Sequence, residues 1–243
     1  MALNVGSPLG AYRNYQSNTN SVNNSTKKLS SGYRINGAGD DAAGLAISEK
    51  MRAQITAQQA QYRNTQDEIS FSKTGDGALS TVHDSLNRMR ELASQASNGT
   101  YGESERAMLQ QEFSQLQEEV GRVYEGTSFN GTDVLSGAPD LSAFSIATQD
   151  GAAKAVDGLS DVINSVSAQR GDFGAQQNRA EHTAGNLINA MVNAQDAESE
   201  IRDLDIALAV MENTKKKILS QSSIAMLAQA NQRTASVMSL LNG

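Results

Sequence analysis

The glycine-rich segment at residues 37–44, which reads GAGDDAAG, is the first place where this chain could bind a ligand. Its spacing fits the loose G-x-G-x-x-A form in which backbone N–H groups approach a pyrophosphate. However, no apolar strand precedes it, no Lys-Ser/Thr pair follows it, and the carboxylates of Asp40 and Asp41 would repel phosphate. A divalent cation would need further ligands at suitable spacing. We therefore predict that Asp40 or Asp41 caps a helix beginning near Ala42.

The two histidines are the other candidates for chemistry. His83 and His182 lie far apart in the sequence, and the chain has no Cys. A Ser-His-Asp triad requires an acid that orients the base, and nothing flanks either histidine in that way. The lack of Cys also excludes a disulfide framework and a CxxC metal site. We predict no catalytic residue, no metal site and no cofactor, and hence a protein that is not an enzyme.

The composition favours a thin helical structure. The 243 residues include five Phe, six Tyr and no Trp, and only two Pro interrupt the chain. A spherical core of this size would need more aromatic side chains, whereas a thin bundle needs one narrow apolar seam per helix. The net charge of −7, with a single basic run at residues 215–217, makes nucleic acid an unexpected partner.

The chain carries no membrane or export pattern of the usual kinds. No run of about 18 apolar residues is present, so we expect no ordinary membrane span and no membrane partner. The first ten residues lack a cationic region followed by an apolar core, so no conventional signal peptide is visible. If the protein is extracellular, another export route must carry it.

Heptad spacing predicts three helical seams, in which apolar residues alternate at steps of three and four. A short connection rich in glycine separates the first two seams and predicts antiparallel neighbours. The third seam predicts an uninterrupted helix over about residues 152–241, which would span on the order of 130 Å. The seams are Leu79, Val82, Leu86, Met89, Ala93 and Ala96; Leu109, Phe113, Leu116, Val120 and Val123; and Leu187, Ala190, Ala194, Ala197, Ile201, Leu204, Leu208 and Met211.

Residues 126–151 form the one island predicted to be non-helical. Asn130-Gly131 is a hairpin turn signal, and Pro139 marks another break. Leu141, Phe144 and Ile146 suggest a short strand. We therefore predict a small β-hairpin element that caps the helical bundle.

The two ends of the chain are predicted to lack partners in the central bundle. The first forty residues are rich in Asn, Ser and Gln and have weak helix propensity. The last thirty or so are apolar on one face. We expect each end to be poorly folded alone and to become ordered only when it packs against something.

Several long motifs make the chain resemble bacterial flagellins over nearly its whole length. They are LSSGYRINGAGDDAAGLAIS at 29–48, NRMRELASQ at 87–95, FNG at 129–131, GAQQNR at 174–179, IRDLD at 201–205 and IAMLAQANQRTASVMSLLNG at 224–243. The resemblance implies a mainly α, elongated bundle of long antiparallel helices with one small β-hairpin. Residues 1–41 and 204–243 would form the terminal coiled-coil domain D0, and residues 42–203 the central domain D1.

The resemblance also implies a function and a set of partners. The chain would polymerise with itself into the flagellar filament for motility, after secretion through the flagellar type III apparatus. An export chaperone at the C-terminal helices and the filament cap and junction proteins would be further partners. The polymerisation core would include Leu29, Ile224, Leu227, Val237, Leu240 and Leu241.

Some flagellins are recognised by Toll-like receptor 5 through D1. The matching positions here are Arg88, Leu92 and Glu112, with Gln95 as a fourth candidate. Arg88, Leu92 and Gln95 fall at i, i+4 and i+7, off the first seam, which predicts a patch beside the bundle interface.

Two other readings stay open beside flagellin. A hook-filament junction protein shares the terminal helices and part of the motifs, but would cap or adapt a filament. A flagellin-like enzyme would need a catalytic insert, for which residues 126–151 are too few.

Overall fold

The protein is mainly α-helical, as predicted. A computed structural model describes residues 8–241, except the side chains of Pro8, Thr234 and residues 237–241. The described elements are α1 (Pro8–Ser31), α2 (Ala42–Ala96), α3 (Glu103–Gly126), β1 (Ser128–Phe129), β2 (Thr132–Asp133), α4 (Gln149–Arg202) and α5 (Ile206–Leu241).

The described residues form two compact units. The central unit is Gln58–Ala190, and the terminal unit combines the residues up to Ala57 with those from Met191 onward. The domain boundaries expected from the sequence, 1–41 with 204–243 and 42–203, stay a prediction.

The core of the central unit is built from the first two predicted seams. All six residues of the first seam, from Leu79 to Ala96, are fully buried. In the second seam Phe113 and Val120 are buried, and its other members pack partly buried against the same core. Helix α4 contributes a matching stripe to this core, formed by Ala152, Ala155, Leu159, Ile163 and Val166. The heptad spacing predicts the buried face correctly here, because most of its positions carry large apolar side chains.

The hairpin of the central unit has the predicted turn. Strands β1 and β2 pair antiparallel, with Phe129 opposite Thr132. Asn130 and Gly131 both have positive φ, of 51° and 78°, as a type I′ turn requires. The ring of Phe129 meets that of Phe71 on α2 edge to face, with centroids 6.1 Å apart. This contact attaches the hairpin to the helices.

The strand suggested by Leu141, Phe144 and Ile146 is wrong. The segment is irregular, because glutamines of α3 satisfy its backbone in place of a partner strand. Gln117 donates to the carbonyls of Leu141 and Phe144, and Gln110 accepts from the N–H of Ile146. Leu141 and Ile146 are nevertheless buried, so the apolar spacing reflects anchoring to the core.

In the terminal unit, α1 packs along α5. Hydrogen bonds between them include those that join Thr26 to Asn213 and Asn18 to Ser223. Because the residue numbers run in opposite directions along the two helices, the pair is antiparallel.

The predicted uninterrupted helix over residues 152–241 is wrong. Helix α4 ends at Arg202, and α5 begins at Ile206. The N–H of Leu204 donates to the carbonyl of Gly32, 2.9 Å away, instead of continuing the helix. The Asp205 carboxylate then accepts the N–H of Leu208, so it caps α5. The third seam therefore stops at Ile201, and Leu208 and Met211 are exposed.

The break is held by residues that follow α1. Tyr33 forms an antiparallel bridge with Asp203, and the N–H of Arg34 donates to the carbonyl of Arg202. The guanidinium of Arg202 lies 4.6 Å from the centroid of the Tyr33 ring and 3.1 Å from a carboxylate oxygen of Glu49. A cation–π contact and an ion pair thus connect the end of α4 to the segment between α1 and α2.

Candidate interaction surfaces

The contact between α1 and α5 is a heptad seam composed mostly of small or polar side chains. We call it the terminal seam. Its buried or half-buried positions advance by alternating steps of four and three on both helices. On α1 they are Ala11, Tyr15, Asn18, Val22, Ser25 and Leu29; on α5 they are Ala209, Asn213, Lys216, Ser220, Ser223, Leu227 and Ala230.

Apart from Leu227, the large apolar side chains of α5 whose burial the structure describes lie outside the terminal seam. We call them the exposed apolar set. Ile218 is 59% exposed and Met226 is 65% exposed, values typical of surface polar residues. Val210, Met211, Ile218 and Leu219 of this set line one groove, and apolar surface that adjoins in this way marks a site of association. The set is Ile206, Leu208, Val210, Met211, Ile218, Leu219, Ile224 and Met226.

A shallow groove gives part of this set a defined shape. It has a volume of about 450 Å³ and is lined by Val210, Met211, Thr214, Ile218 and Leu219, together with the stem of Lys215. Its walls are mainly apolar, so a ligand that fills it would gain chiefly from burial of apolar surface.

The residues predicted for the polymerisation core occupy different places. Ile224 is exposed. Leu29 and Leu227 occupy terminal-seam positions and are half-buried within the chain. The side chains of Val237, Leu240 and Leu241 lie outside the described part of the structure.

Of the four receptor-binding candidates, Arg88, Gln95 and Glu112 have accessible side chains, and Arg88 contacts Glu112. Arg88 donates from Nε and Nη2 to Glu112 Oε1, at 2.9 and 2.8 Å, and from Nη1 to Glu91. The hydrogen bonds to Glu112, and then to Glu91, raise the pKa of Arg88 above its usual value. Gln95 is exposed nearby on α2.

The prediction that Leu92 lies off the bundle interface is wrong. Its side chain is 0% exposed and belongs to the core. Helix α2 contacts both α3 and α4, so its buried stripe is wider than two positions per heptad and includes Leu92.

The glycine-rich segment is a capping loop, as predicted. The Asp41 carboxylate accepts the N–H of Gly44 at 2.9 Å at the start of α2. Asp40 instead accepts the N–H of Asn36 and pairs with Lys28, 3.1 Å away. These contacts, the backbone N–H of Asn36 foremost, lower the pKa of Asp40.

The two histidines lie on different helices, His83 on α2 and His182, which is exposed, on α4. His83 Nδ1 lies 3.0 Å from the side-chain nitrogen of Asn87, its neighbour one turn along α2. Among the described residues, no group of three His, Cys, Asp or Glu side chains is placed to hold a metal ion. None of the described helices is long and apolar enough to cross a membrane.

The polar members of the terminal seam were missed by the sequence reasoning. The search followed large apolar residues, which on α5 face outward. A search for heptad spacing of small and polar residues would have found the steps from Ala209 to Ala230.

Two family models match the chain. The bacterial flagellin N-terminal helical region matches residues 5–140, and the bacterial flagellin C-terminal helical region matches residues 156–241. A crystal structure of Bacillus cereus flagellin is 29% identical in sequence, with a TM-score of 0.48; the match covers 51% of this chain and 88% of that one.

Full-length relatives give the same result. A flagellin of Halalkalibacterium halodurans is 45% identical over 99% of this chain and 100% of its own length. A flagellin of Bacillus subtilis is 37% identical, covering 96% of this chain and 97% of the relative. A flagellar filament 33 kDa core protein of Treponema phagedenis is 39% identical, covering 92% and 94%. The chain belongs to the bacterial flagellin family.

Proposed function

We propose that this chain polymerises with copies of itself through α1 and α5 to form the bacterial flagellar filament. The chain is a structural subunit of that filament, like the relatives that carry the names flagellin and filament core protein. The observation that carries the mechanism is the exposed apolar set of α5. These residues remain 44% to 65% exposed within the described chain, and neighbouring copies would cover the exposed part.

Assembly would complete the burial of the terminal helices. Helix α5 offers α1 mainly small or polar side chains, which release little free energy on burial. The larger apolar side chains become buried only when other copies arrive. Binding to the ordered form then stabilises that form by mass action.

The filament role places the chain outside the cell, and further partners belong to the same proposal. We include secretion through the flagellar type III apparatus, an export chaperone on the C-terminal helices, and the filament cap and junction proteins. The chaperone would cover the exposed apolar set before export. The role is mechanical and needs no catalysis.

Recognition by Toll-like receptor 5 is a finer part of the proposal. Arg88, Gln95 and Glu112 are its accessible candidates, and Leu92 supports them from beneath. Binding of monomer to the receptor ectodomain should weaken in Arg88→Ala and remain in a control such as Lys154→Ala, an exposed residue on α4. Unchanged binding by Arg88→Ala would exclude the patch.

The test of assembly is seeded growth followed by electron microscopy. Wild-type protein should extend seeds to micrometre length. Deletion of residues 227–243 should abolish growth while the central unit stays folded by hydrogen exchange. Ile218→Gln should slow growth strongly, whereas its matched control Gln221→Ala, an exposed polar residue on the same helix, should grow normally.

Two outcomes would contradict the proposal. Normal filaments from both the truncated chain and Ile218→Gln would remove α5 from the assembly surface. Wild-type protein that terminates seeds without extending them would favour the hook-filament junction alternative.

A further inference from the structure

Two methionines on α5 lie where both solvent and a neighbouring copy would reach them. Among the methionines whose side chains the structure describes, Met108, Met211 and Met226 are exposed, at 62%, 63% and 65%, whereas Met89 is fully buried. We propose that Met211 and Met226 form an oxidation site, and that their conversion to sulfoxides excludes a free subunit from filament growth. This proposal rests on the proposed function, in which α5 is part of the assembly surface.

Each of the two methionines lines a groove of the terminal unit. Met211 lies in the apolar groove of about 450 Å³ described above, and Met226 lies in a second groove of about 400 Å³ between α1 and α5. Leu219 lines both grooves, so the two methionines belong to adjoining parts of one surface. Neighbouring copies would cover this surface in the filament.

The chemistry requires only a hydroperoxide that reaches the thioether sulfur. The sulfur donates an electron pair to one peroxide oxygen, so that an S–O bond forms and the O–O bond breaks. With hydrogen peroxide, the proton of the transferred oxygen passes to the leaving hydroxide, which departs as water. The sulfur is thereby oxidised by two electrons and the peroxide is reduced. Because no side chain has to act as a base or a ligand, accessibility selects which methionines react.

The accessibility of both methionines does not depend on the pairing of α1 with α5. In the paired helices their side chains are already more than half exposed. If the ends are weakly ordered in the monomer, as the sequence predicts, Met226 loses the neighbouring α1 residues Gly10, Ala11 and Asn14 from its groove. Both forms of the free subunit therefore expose the two sulfur atoms, and assembly would cover them.

A sulfoxide would weaken the contact that the thioether makes with a neighbouring copy. The thioether is a flexible apolar group, whereas the sulfoxide is polar and accepts hydrogen bonds. Burial of its oxygen without a donor would be costly, and two hydroxyls of the groove walls are already engaged. Thr214 donates to the carbonyl of Val210. Ser223 donates to the carbonyl of Leu219.

The test compares peroxide treatment of the monomer and of finished filaments, with each methionine quantified by peptide mass spectrometry. In the monomer, Met108, Met211 and Met226 should oxidise at least about tenfold faster than Met89, because susceptibility follows exposure. In filaments, Met211 and Met226 should oxidise at least about fivefold more slowly than in the monomer, because neighbouring copies cover them.

Seeded growth then measures the effect on assembly. Monomer oxidised at both sites should extend untreated seeds at least about tenfold more slowly than untreated monomer, because polar sulfoxides disrupt an apolar contact. Treatment of the oxidised monomer with both methionine sulfoxide reductases, one for each sulfoxide epimer, should restore growth.

Matched variants separate these two residues from the other methionines. Met211→Leu with Met226→Leu keeps apolar side chains of similar volume, so it should grow normally before and after peroxide treatment. Met108→Leu removes an equally exposed thioether from α3 and should leave growth as sensitive to peroxide as in the wild type. Met211→Gln with Met226→Gln places polar groups at both positions and should grow slowly without any oxidant.

Two results would overturn the proposal. Monomer that carries both sulfoxides and extends seeds at the untreated rate would show that these sites do not control assembly. Equal peroxide sensitivity in the double leucine variant would assign the inhibition to damage elsewhere. If the double leucine variant does not assemble, the two single leucine variants replace it. Each should be inhibited less than the wild type at the same peroxide exposure, and equal inhibition would overturn the proposal.

Failure of the proposed function is distinguishable from failure of this proposal. Untreated monomer that does not extend seeds would refute the filament role, and the predicted block to growth with it. Equal oxidation of Met211 and Met226 in monomer and filament would remove this part of α5 from the assembly surface. Normal growth of untreated monomer, together with equal growth after oxidation at both sites, would refute the methionine proposal alone.

Discussion

Replacement of Leu92 by Ala should destabilise the central unit by about 3 kcal/mol. The side chain is fully buried in the core shared by α2, α3 and α4. Three carbon groups are removed, and at about 0.8 kcal/mol for each the transfer contribution is about 2.4 kcal/mol. The cavity left behind adds to this, and measured Leu→Ala costs in cores run from about 2.7 to 5.0 kcal/mol.

The assay is hydrogen exchange of the full-length monomer, read on peptides of α2 and α3. In the regime where exchange reports the opening equilibrium, a loss of about 3 kcal/mol lowers protection roughly 150-fold in the most protected amides. Leu92→Met conserves volume and should cost less than about 1.5 kcal/mol. Gln95→Ala, an exposed change one turn away, should stay within about 0.5 kcal/mol of wild type.

The reasoning is refuted if Leu92→Ala and Gln95→Ala show the same protection. Such a result would mean that Leu92 is accessible after all, as its position relative to the first seam suggested. The outcome also decides how receptor experiments are read. Loss of receptor binding in Leu92→Ala would accompany a damaged fold, so Arg88→Ala is the informative variant.

Three further predictions follow from local geometry. Gly158→Ala should destabilise the central unit by about 1–3 kcal/mol, because a new Cβ would stand 2.3 Å from the ring of Phe144. A Cβ at Gly77 would meet open space, so Gly77→Ala should stabilise α2 by about 0.5–1 kcal/mol. Thermal unfolding of the two variants measures both changes in stability. In the monomer, hydrogen exchange should show roughly the first forty and last forty residues weakly protected, with protection rising on assembly; equal protection before assembly would contradict this. The N–H of Asn36 is the chief cause of the lowered pKa of Asp40. The lowered pKa stabilises the folded state at pH values above the unfolded pKa near 3.8, and this stability is lost as the pH falls through the folded pKa. Asp40→Asn should therefore remove this acid-sensitive step from an acid titration followed by circular dichroism.

The central unit was predictable because its sequence pattern and its packing use the same residues. From Leu79 to Ala96 every seam position is buried, and the Asn130-Gly131 turn has the two positive φ angles that its residue types favour. Leu92 was misplaced because two neighbouring helices widen the buried stripe of α2. A heptad count alone does not show how many neighbours a helix has.

The break between α4 and α5 was missed for a different reason. No Gly or Pro marks it, and the apolar spacing continues through Leu204 and Leu208. The available signal was Asp205, which has the carboxylate of an N-cap. The deciding contacts, from Leu204 to Gly32 and from Arg34 to Arg202, join residues far apart in sequence. Periodicity within one helix cannot reveal them.

On α5 most large apolar side chains face outward and most inward side chains are small or polar, an arrangement that suits a subunit that must assemble. If the apolar side chains faced inward, α1 and α5 would bury them against each other. Contact with neighbouring copies would then bury little further apolar surface. Here the inward-facing Asn213 donates a hydrogen bond to Thr26, an interaction that adds only a small net free energy. The outward apolar residues, among them Ile218 and Met226, are exposed in the single chain and would become buried on association. Under the proposed function, the contacts within the chain hold α1 against α5, and apolar contacts between chains would supply the driving force for assembly.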